Sequence, residues 1–203
     1  MMRHRSKKMR GFTLIELMVV IAIISILAGI AALSVDLIRK EQVSSRTKEL
    51  LADIQQARVE AMTVGPTTTI QQMRGAGIRL VSPTSFVVFK FNDCDQDYTY
   101  DVDGCPGPAR EEAEARTVAL PSSIEAKRLD ASNVLVDPAN VTATDILIFD
   151  RLGMPRTYEW NRVSGFTIVV RHQSAGHAKC IIIDSNSIRE GSWNGSTNTC
   201  TRQ

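Results

Sequence analysis

Hydrophobic and polar positions divide the chain into an apolar N-terminal segment, an amphipathic segment and a series of short alternating runs. From Phe12 to Leu33 nearly every residue is apolar, with Glu16 and Ser25 as the main exceptions. As an α-helix, this run of about 22 residues is about 33 Å long, which matches the roughly 30 Å hydrocarbon core of a bilayer. The pattern predicts a membrane-spanning helix.

The next segment, residues 35–64, contains no glycine or proline and keeps a helical period. Its apolar and small positions recur at steps of three and four, as expected for a helix that packs on a sheet. These positions are Val43, Thr47, Leu50, Ile54, Ala57, Ala61 and Val64. Gly65 and Pro66 mark the end of the pattern. We predict one continuous helix over residues 12–64, with a break near Gly29 or Ser34 as the alternative.

Beyond Pro66 the pattern changes to short β-like runs, separated by glycine, proline and Ser-Asn turn signals. The predicted strands are Thr67–Gln72, Ile78–Val81, Phe86–Phe91, Thr117–Leu120, Val134–Val136, Ile146–Phe149, Phe166–Arg171 and Cys180–Asp184. A long helix followed by many short strands indicates an α+β fold. We therefore predict that the amphipathic half of the helix packs on a mainly antiparallel β-sheet head.

A basic leader precedes the apolar segment and contains no acidic residue. Its basic residues are Arg3, Arg5, Lys7, Lys8 and Arg10. By the positive-inside rule, this charge keeps the leader cytoplasmic and sends the rest of the chain outward. A secretory signal peptide has a shorter apolar region, of about 7–15 residues. A plain signal anchor is the other alternative, but it leaves Glu16 unexplained, because a charge near the bilayer centre costs roughly 2.5–3.5 kcal/mol.

The junction Arg10-Gly11-Phe12-Thr13-Leu14-Ile15-Glu16-Leu17, with the apolar residues that follow it, resembles the class III signal of type IV pilins and type II secretion pseudopilins. The resemblance implies that a prepilin peptidase cleaves between Gly11 and Phe12, and that Phe12 is then N-methylated. It also implies an assembly role for Glu16, which would pair with the Phe12 amine of a neighbouring subunit. Many members of this family have a proline where this chain has Leu33.

Three further segments resemble the GspH/FimT-type minor pilin and pseudopilin domain: residues 56–65, 146–155 and 180–184. Together the resemblances imply four parts. Residues 1–11 are a cleaved leader, and residues 12–34 are a transmembrane and assembly helix. Residues 35–64 are its amphipathic continuation, and residues 65–203 are a periplasmic β-rich head.

The function implied by this resemblance is that of a minor pilin or pseudopilin subunit, in the tip or initiation complex of a type IV pilus. A GspH-like minor pseudopilin of the type II secretion system is the alternative. The implied location is the bacterial inner membrane, with a cytoplasmic leader and a periplasmic head, and then the pilus or pseudopilus. The implied partners are the prepilin peptidase, other major and minor pilins or pseudopilins, the inner-membrane assembly platform and membrane lipid.

Four cysteines, all beyond the apolar segment, predict disulfide bonds, since an even number in an exported domain is typical of such bonds. Three connectivities are open. We favour Cys94–Cys105 and Cys180–Cys200, because each pair closes a loop without secondary-structure signals. A zinc site is the alternative, which the lack of paired CxxC motifs disfavours.

The loop between Cys94 and Cys105 is densely acidic. Asp93, Asp95, Asp97 and Asp101 have the spacing of the first, third, fifth and ninth ligands of an EF-hand loop. The loop lacks the EF-hand glycine at the sixth position, and Gly104 stands where the bidentate glutamate is required. These residues are a candidate calcium site, with a solvated acidic loop or a subunit contact as the favoured interpretation. Calcium is the one candidate cofactor.

The net charge of the processed chain and the residues of its C-terminal turn disfavour nucleic-acid binding. Removing the leader leaves 19 basic residues against 22 acidic ones, a net charge of −3. Some FimT-type proteins bind DNA through a Gly-Arg-x-Arg turn, and at the corresponding residues 186–189 only Arg189 matches. A DNA-uptake receptor is thus the least favoured function.

No motif typical of an active site occurs in the sequence. His172 and His177 lie in a polar loop without a metalloprotease motif. Trp193 lies in the polar tail, where it either contacts a partner or covers a sheet edge. The sequence therefore predicts a protein that is not an enzyme.

Overall fold

The computed structural model describes residues 12–63, 72–95, 97–100, 112–138 and 145–202. Within these ranges one helix, α1 (Leu14–Thr63), is followed by 11 strands. The strands are β1 (Gln72–Ser82), β2 (Ser85–Asp93), β3 (Glu112–Ala119), β4 (Ile124–Leu129), β5 (Leu135–Val136), β6 (Ile146–Asp150), β7 (Pro155–Arg156), β8 (Phe166–His172), β9 (Ala178–Ile183), β10 (Ile188–Asn194) and β11 (Thr199–Arg202). The chain divides into two compact units, one ending at Ile38 and the other beginning at Arg39.

In the first unit, α1 is apolar on all sides and its large apolar side chains are exposed. Their exposed fractions range from 44% at Val35 to 82% at Phe12, just ahead of the helix. The Ser25 hydroxyl donates a hydrogen bond of 2.8 Å to the Ile21 carbonyl of its own helix. Length and composition make α1 a candidate membrane span. A helix that is hydrophobic all round is suited to lipid or to a core of other helices.

In the second unit, the remainder of α1 buries the predicted stripe. Val43, Thr47, Leu50, Ile54, Ala57 and Ala61 are all buried, while Val64 lies outside the described residues. The buried Thr47 hydroxyl donates a hydrogen bond of 2.7 Å to the Val43 carbonyl, so the helix itself satisfies this polar group. The helix is continuous through Gly29 and Ser34, which confirms the prediction of a single helix.

The strands form two antiparallel sheets that share one core with α1. Sheet 1 has the order β3-β2-β1-β6-β7, and sheet 2 has the order β11-β10-β9-β8-β4-β5. The main core joins side chains from the helix (Leu50, Ile54), from sheet 1 (Ile78, Leu80, Phe86, Phe149) and from sheet 2 (Ile124, Ile168, Ile181). The α+β class and the antiparallel pairing are confirmed, although two sheets take the place of one.

Sheet 1 is covered on its second face as well. A separate cluster there contains Val87, Phe89, Phe91, Tyr100, Ile146 and Ile148, with Tyr158 and Trp160 partly buried against it. Strand β6 is therefore buried on both faces, which explains its uninterrupted apolar sequence. The segments around Tyr100 and Trp160 form this cover, because their rings lie 6.0 Å and 5.4 Å from the Phe91 ring.

Four strands were outside the prediction: β4, β7, β10 and β11. Strand β4 alternates buried Ile124 and Ala126 with charged residues of low strand propensity, so its sequence does not indicate a strand. The expectation that the segment between Cys180 and Cys200 lacks secondary structure is wrong, because it contains β10 and begins β11. The predicted strand over residues 67–72 lies, apart from Gln72, outside the described residues.

Candidate functional site

The first turn of α1 is closed by Thr13. Its carbonyl accepts hydrogen bonds from the backbone N–H groups of Glu16 (3.1 Å) and Leu17 (3.2 Å). Its hydroxyl oxygen accepts a longer bond of 3.3 Å from the same Glu16 N–H. Threonine followed three residues later by glutamate is the capping-box pattern of a helix N-terminus. The helix thus begins two residues after Phe12, the predicted first residue of the processed chain.

Glu16 lies in this first turn, where the exposed N–H groups of a helix favour a negative charge. That interaction contributes typically 0.3–1 kcal/mol and at most about 2 kcal/mol. Burial of a carboxylate in the bilayer costs more, roughly 2.5–3.5 kcal/mol. The helix terminus therefore offsets only part of the cost of burying a charged Glu16 in a membrane.

The cysteines of sheet 2 form a bond across three strands. Cys180 on β9 and Cys200 on β11 are disulfide-bonded, with their Cα atoms 6.1 Å apart, in the favoured pairing. Gly191 on β10 lies between them, and a Cβ there would stand 2.6 Å from the Thr201 carbonyl oxygen and 3.0 Å from Cys200 Sγ. The disulfide thus crosses β10, and position 191 of that strand must be glycine because a Cβ there would clash. Cys94 is also disulfide-bonded, and Cys105 lies outside the described residues.

The structure brings three of the four predicted acidic residues together. Carboxylate oxygens of Asp93, Asp95 and Asp97 lie within 4.8 Å of one another, with Asp93 buried and the other two exposed. Asp95 accepts a hydrogen bond of 3.3 Å from the Asp97 N–H, and Asp97 accepts one of 2.6 Å from the Thr99 N–H. Both exposed carboxylates therefore shape the backbone of the turn. Asp101 lies outside the described residues.

A largely buried ionic network anchors this loop to sheet 1, and no local pattern in the sequence indicates it. The Arg79 guanidinium donates to both carboxylate oxygens of Glu112, at 2.6 Å and 3.0 Å. The Tyr100 hydroxyl donates to the same carboxylate. Burial, together with that hydrogen bond, raises the pKa of Tyr100 well above its usual range. The hydrogen bond to Glu112 likewise raises the pKa of Arg79.

The β6–β7 turn is held by Asp150 and fits closely against the helix. Asp150 accepts hydrogen bonds from the N–H groups of Leu152 and Met154, both at 2.9 Å, and from Arg156 Nε at 2.8 Å. Gly153 has a φ of +70°, and a Cβ on it would lie 2.9 Å from Met62 Sδ. Glycine is therefore required for backbone conformation and for space, in the segment that resembles the GspH/FimT-type domain.

Comparison with known families gave one finding. The family model described as the prokaryotic N-terminal methylation motif matches residues 6–32. This range contains the predicted cleavage junction, Glu16 and most of the apolar segment. No curated protein and no solved structure gave a significant match. The match is confined to the N-terminal segment, which therefore carries a prepilin-type methylation motif and supports placing the chain among the type IV pilins and pseudopilins.

Proposed function

We propose that this protein is a minor pilin subunit that assembles through its N-terminal helix into the tip or initiation complex of a type IV pilus. The observation that carries the proposal is the methylation-motif match over residues 6–32, in which Glu16 occupies the first turn of a helix whose N-terminal part is exposed and otherwise apolar. The GspH/FimT-type assignment of the head rests on the sequence resemblance of residues 56–65, 146–155 and 180–184.

Processing produces the assembly-competent subunit. A prepilin peptidase cleaves between Gly11 and Phe12, and Phe12 is then N-methylated. The basic leader stays cytoplasmic, the helix lies in the bacterial inner membrane among lipid, and the head is periplasmic. The four parts are then the leader (1–11), the transmembrane and assembly helix (12–34), its amphipathic continuation (35–64) and the head (65–203).

Pairing of opposite charges drives assembly in one register. Cleavage leaves a positive amine on Phe12 beside the positive end of the helix, where it is unfavourable. Glu16 of one subunit and the Phe12 amine of its neighbour are each costly to bury alone, and they neutralise each other when paired. The apolar surface from Leu14 to Ile30 then leaves lipid for the helices of other pilins. The inner-membrane assembly platform acts on this complex.

The test is a count of surface pili by electron microscopy in a strain deleted for this gene, beside the complemented strain. Loss of pili that complementation restores supports a role in pilus initiation. Glu41 is an exposed glutamate of the same helix, outside the apolar segment. Complementation with a Glu41→Ala variant is the control for loss of a helix glutamate, and it should also restore pili. Unchanged pili in the deleted strain would contradict the proposal.

The alternative is a minor pseudopilin of the type II secretion system, which the same motif fits. Deletion would then leave pili unchanged and abolish secretion of the exported enzymes of that system. A DNA-uptake receptor has less support, because Arg189 is followed by Glu190, which pairs with Lys179. Salt-dependent DNA binding by the purified chain would favour that receptor role.

A further inference from the structure

A cavity of about 380 Å³ lies at one end of sheet 2, and it joins residues that are far apart in the sequence. The β8–β9 hairpin, residues 171–178, forms one side, and Trp193 and Gly195 at the end of β10 form the other. Sites for small ligands have volumes of about 300–1,000 Å³, so this cavity is at the lower end of the range. His172, His177 and Trp193 thus line one cavity.

The cavity walls are fixed by hydrogen bonds and by a disulfide. The hairpin is closed by the His172 N–H, which donates to the His177 carbonyl at 3.0 Å. It is tied to the neighbouring turn by the Gln173 N–H, which donates to the Ser123 carbonyl at 2.9 Å. Trp193 on β10 is paired in register with Cys200 on β11. The disulfide between Cys200 and Cys180 links β11 to β9 and so fixes the strand beside Trp193. The site is therefore formed before any ligand arrives.

His172 supplies a defined hydrogen-bond donor. Its side chain is buried, and its Nδ1 accepts a hydrogen bond of 3.2 Å from the Ser174 N–H. A ring nitrogen that accepts a hydrogen bond carries no proton, so the neutral ring is protonated at Nε2. The Ser174 hydroxyl lies 3.3 Å from the same Nδ1 and adds a group that both donates and accepts.

The charges beside the cavity are compensated. Arg171 directs Nε and Nη2 to one carboxylate oxygen of Glu125, at 3.1 Å and 3.0 Å. Lys179, next to the hairpin, is paired with Glu190. The site therefore offers no uncompensated positive charge to a phosphate or carboxylate. It offers the flat apolar ring of Trp193 together with neutral donors and acceptors.

We propose that this cavity binds a neutral saccharide, with one sugar ring stacked on Trp193. The C–H faces of a pyranose ring are apolar and pack on an indole, while the hydroxyl groups at its edge meet donors such as His172 Nε2–H and acceptors such as the Ser174 hydroxyl. The head then recognises glycans in addition to its part in assembly, and the two roles use separate residues.

The test is a titration of the full-length, ¹⁵N-labelled protein in a zwitterionic detergent that contains no sugar. The chain has two tryptophans, so two indole N–H signals are expected, and Trp193→Phe assigns them. Chitobiose, lactose and maltose are each added to about 20 mM, enough to reveal a Kd of about 1 mM. We expect at least one disaccharide to shift the Trp193 signal saturably and to leave that of Trp160 in place.

Two glycines give a matched pair of variants. A Cβ at either Gly176, in the cavity wall, or Gly165, outside it, meets no atom within 4 Å, so a leucine side chain at either position begins in open space. Gly176→Leu should weaken saccharide binding about tenfold or more, and Gly165→Leu should leave it unchanged. Trp193→Leu provides a second variant, in which the rise in Tm caused by the disaccharide should disappear.

Three results would overturn the proposal. One is no shift of the Trp193 signal by any of the three disaccharides. Another is a shift caused by inorganic phosphate or an oligodeoxythymidine but by no sugar, which would make the cavity an anion or nucleic-acid site. The third is wild-type affinity in Gly176→Leu, which would place the binding elsewhere.

Discussion

The two units of the chain differ in the burial of the same types of apolar side chain. Ile24, in the N-terminal unit, exposes 59% of its surface, whereas Ile54, thirty residues later in the same helix, exposes none. The head completes its own core with two sheets, while the N-terminal unit leaves its apolar surface to lipid or to other subunits. Stability of the head is therefore a property of one chain, and burial of the N-terminal unit is a property of an assembly.

The largest effect is expected from Glu16→Ala, which removes the charge without disturbing the head. The variant should insert in the membrane normally, because alanine is easier to bury than glutamate. Its incorporation into sheared filaments should fall about tenfold or more, since the pairing with a neighbouring Phe12 amine is lost. Immunoblots of the membrane and filament fractions measure both quantities. Glu41→Ala is the control, and normal incorporation of Glu16→Ala would refute the pairing.

The same substitution in both units tests the contrast directly. Ile54→Ala should lower the free energy of unfolding of the head by about 2–5 kcal/mol, because it leaves a cavity between helix and sheets. Ile24→Ala should change it by less than about 0.5 kcal/mol, because 59% of Ile24 is exposed and its substitution leaves no cavity in the head. Tryptophan fluorescence during urea unfolding in detergent reports on the head, which contains both tryptophans. Equal losses in the two variants would contradict the division into independent units.

The continuous helix and its buried stripe could be predicted from the sequence, because both halves of α1 follow regular patterns. An unbroken apolar run and a three- and four-residue stripe each depend on residues close together in the chain. Strands with apolar runs, such as Phe86–Phe91 and Ile146–Phe149, were predicted for the same reason. Strand β10 was missed because it contains Gly191 and charged Arg189 and Glu190, which have low strand propensity and are stabilised by pairing with β9 and β11.

Contacts between residues far apart in the sequence could not be predicted from local sequence patterns. Arg79 and Glu112 are separated by 33 positions and form a bidentate ion pair that no local pattern indicates. Trp193 and His172 lie on different strands, and only the order of sheet 2 brings them to one cavity. The disulfide pairing was favoured because each pair closes a segment without secondary-structure signals, whereas the requirement for glycine at position 191 depends on the path of the bond across β10.

Removing the disulfide of sheet 2 should have the next largest effect on the head. The Cys180→Ala and Cys200→Ala double variant should lose about 3 kcal/mol of unfolding free energy, as expected for a closed loop of this size. Gly191→Ala should also destabilise the head with the disulfide intact, because its Cβ would stand 2.6 Å from the Thr201 carbonyl oxygen. Urea unfolding measures both losses. A double variant within about 0.5 kcal/mol of wild type would show that β11 is held without the bond.

A smaller effect is expected from the buried hydroxyl of Tyr100. Its pKa is raised in the folded head, so its contribution to stability is complete below the unfolded pKa of about 10 and declines as the pH rises above that value. The stability difference between wild type and Tyr100→Phe should therefore fall above pH 10, by up to about 1.4 kcal/mol per pH unit. Urea unfolding at pH 9 and pH 11 measures it. The exposed Tyr98→Phe is the control, and a pH-independent difference would contradict the prediction.

The smallest effect is expected from calcium, since backbone N–H groups already bond the exposed carboxylates of the acidic turn, those of Asp95 and Asp97. A ligand raises Tm only if it binds the folded state. Because we expect no tight calcium binding, addition of EDTA and then of millimolar calcium should change Tm by less than about 1 °C. Asp95→Asn keeps an oxygen that can accept the Asp97 N–H and weakens any cation site. A calcium-dependent rise of several degrees that Asp95→Asn abolishes would make the loop a calcium site, and the head would then depend on a ligand as the N-terminal unit depends on its neighbours.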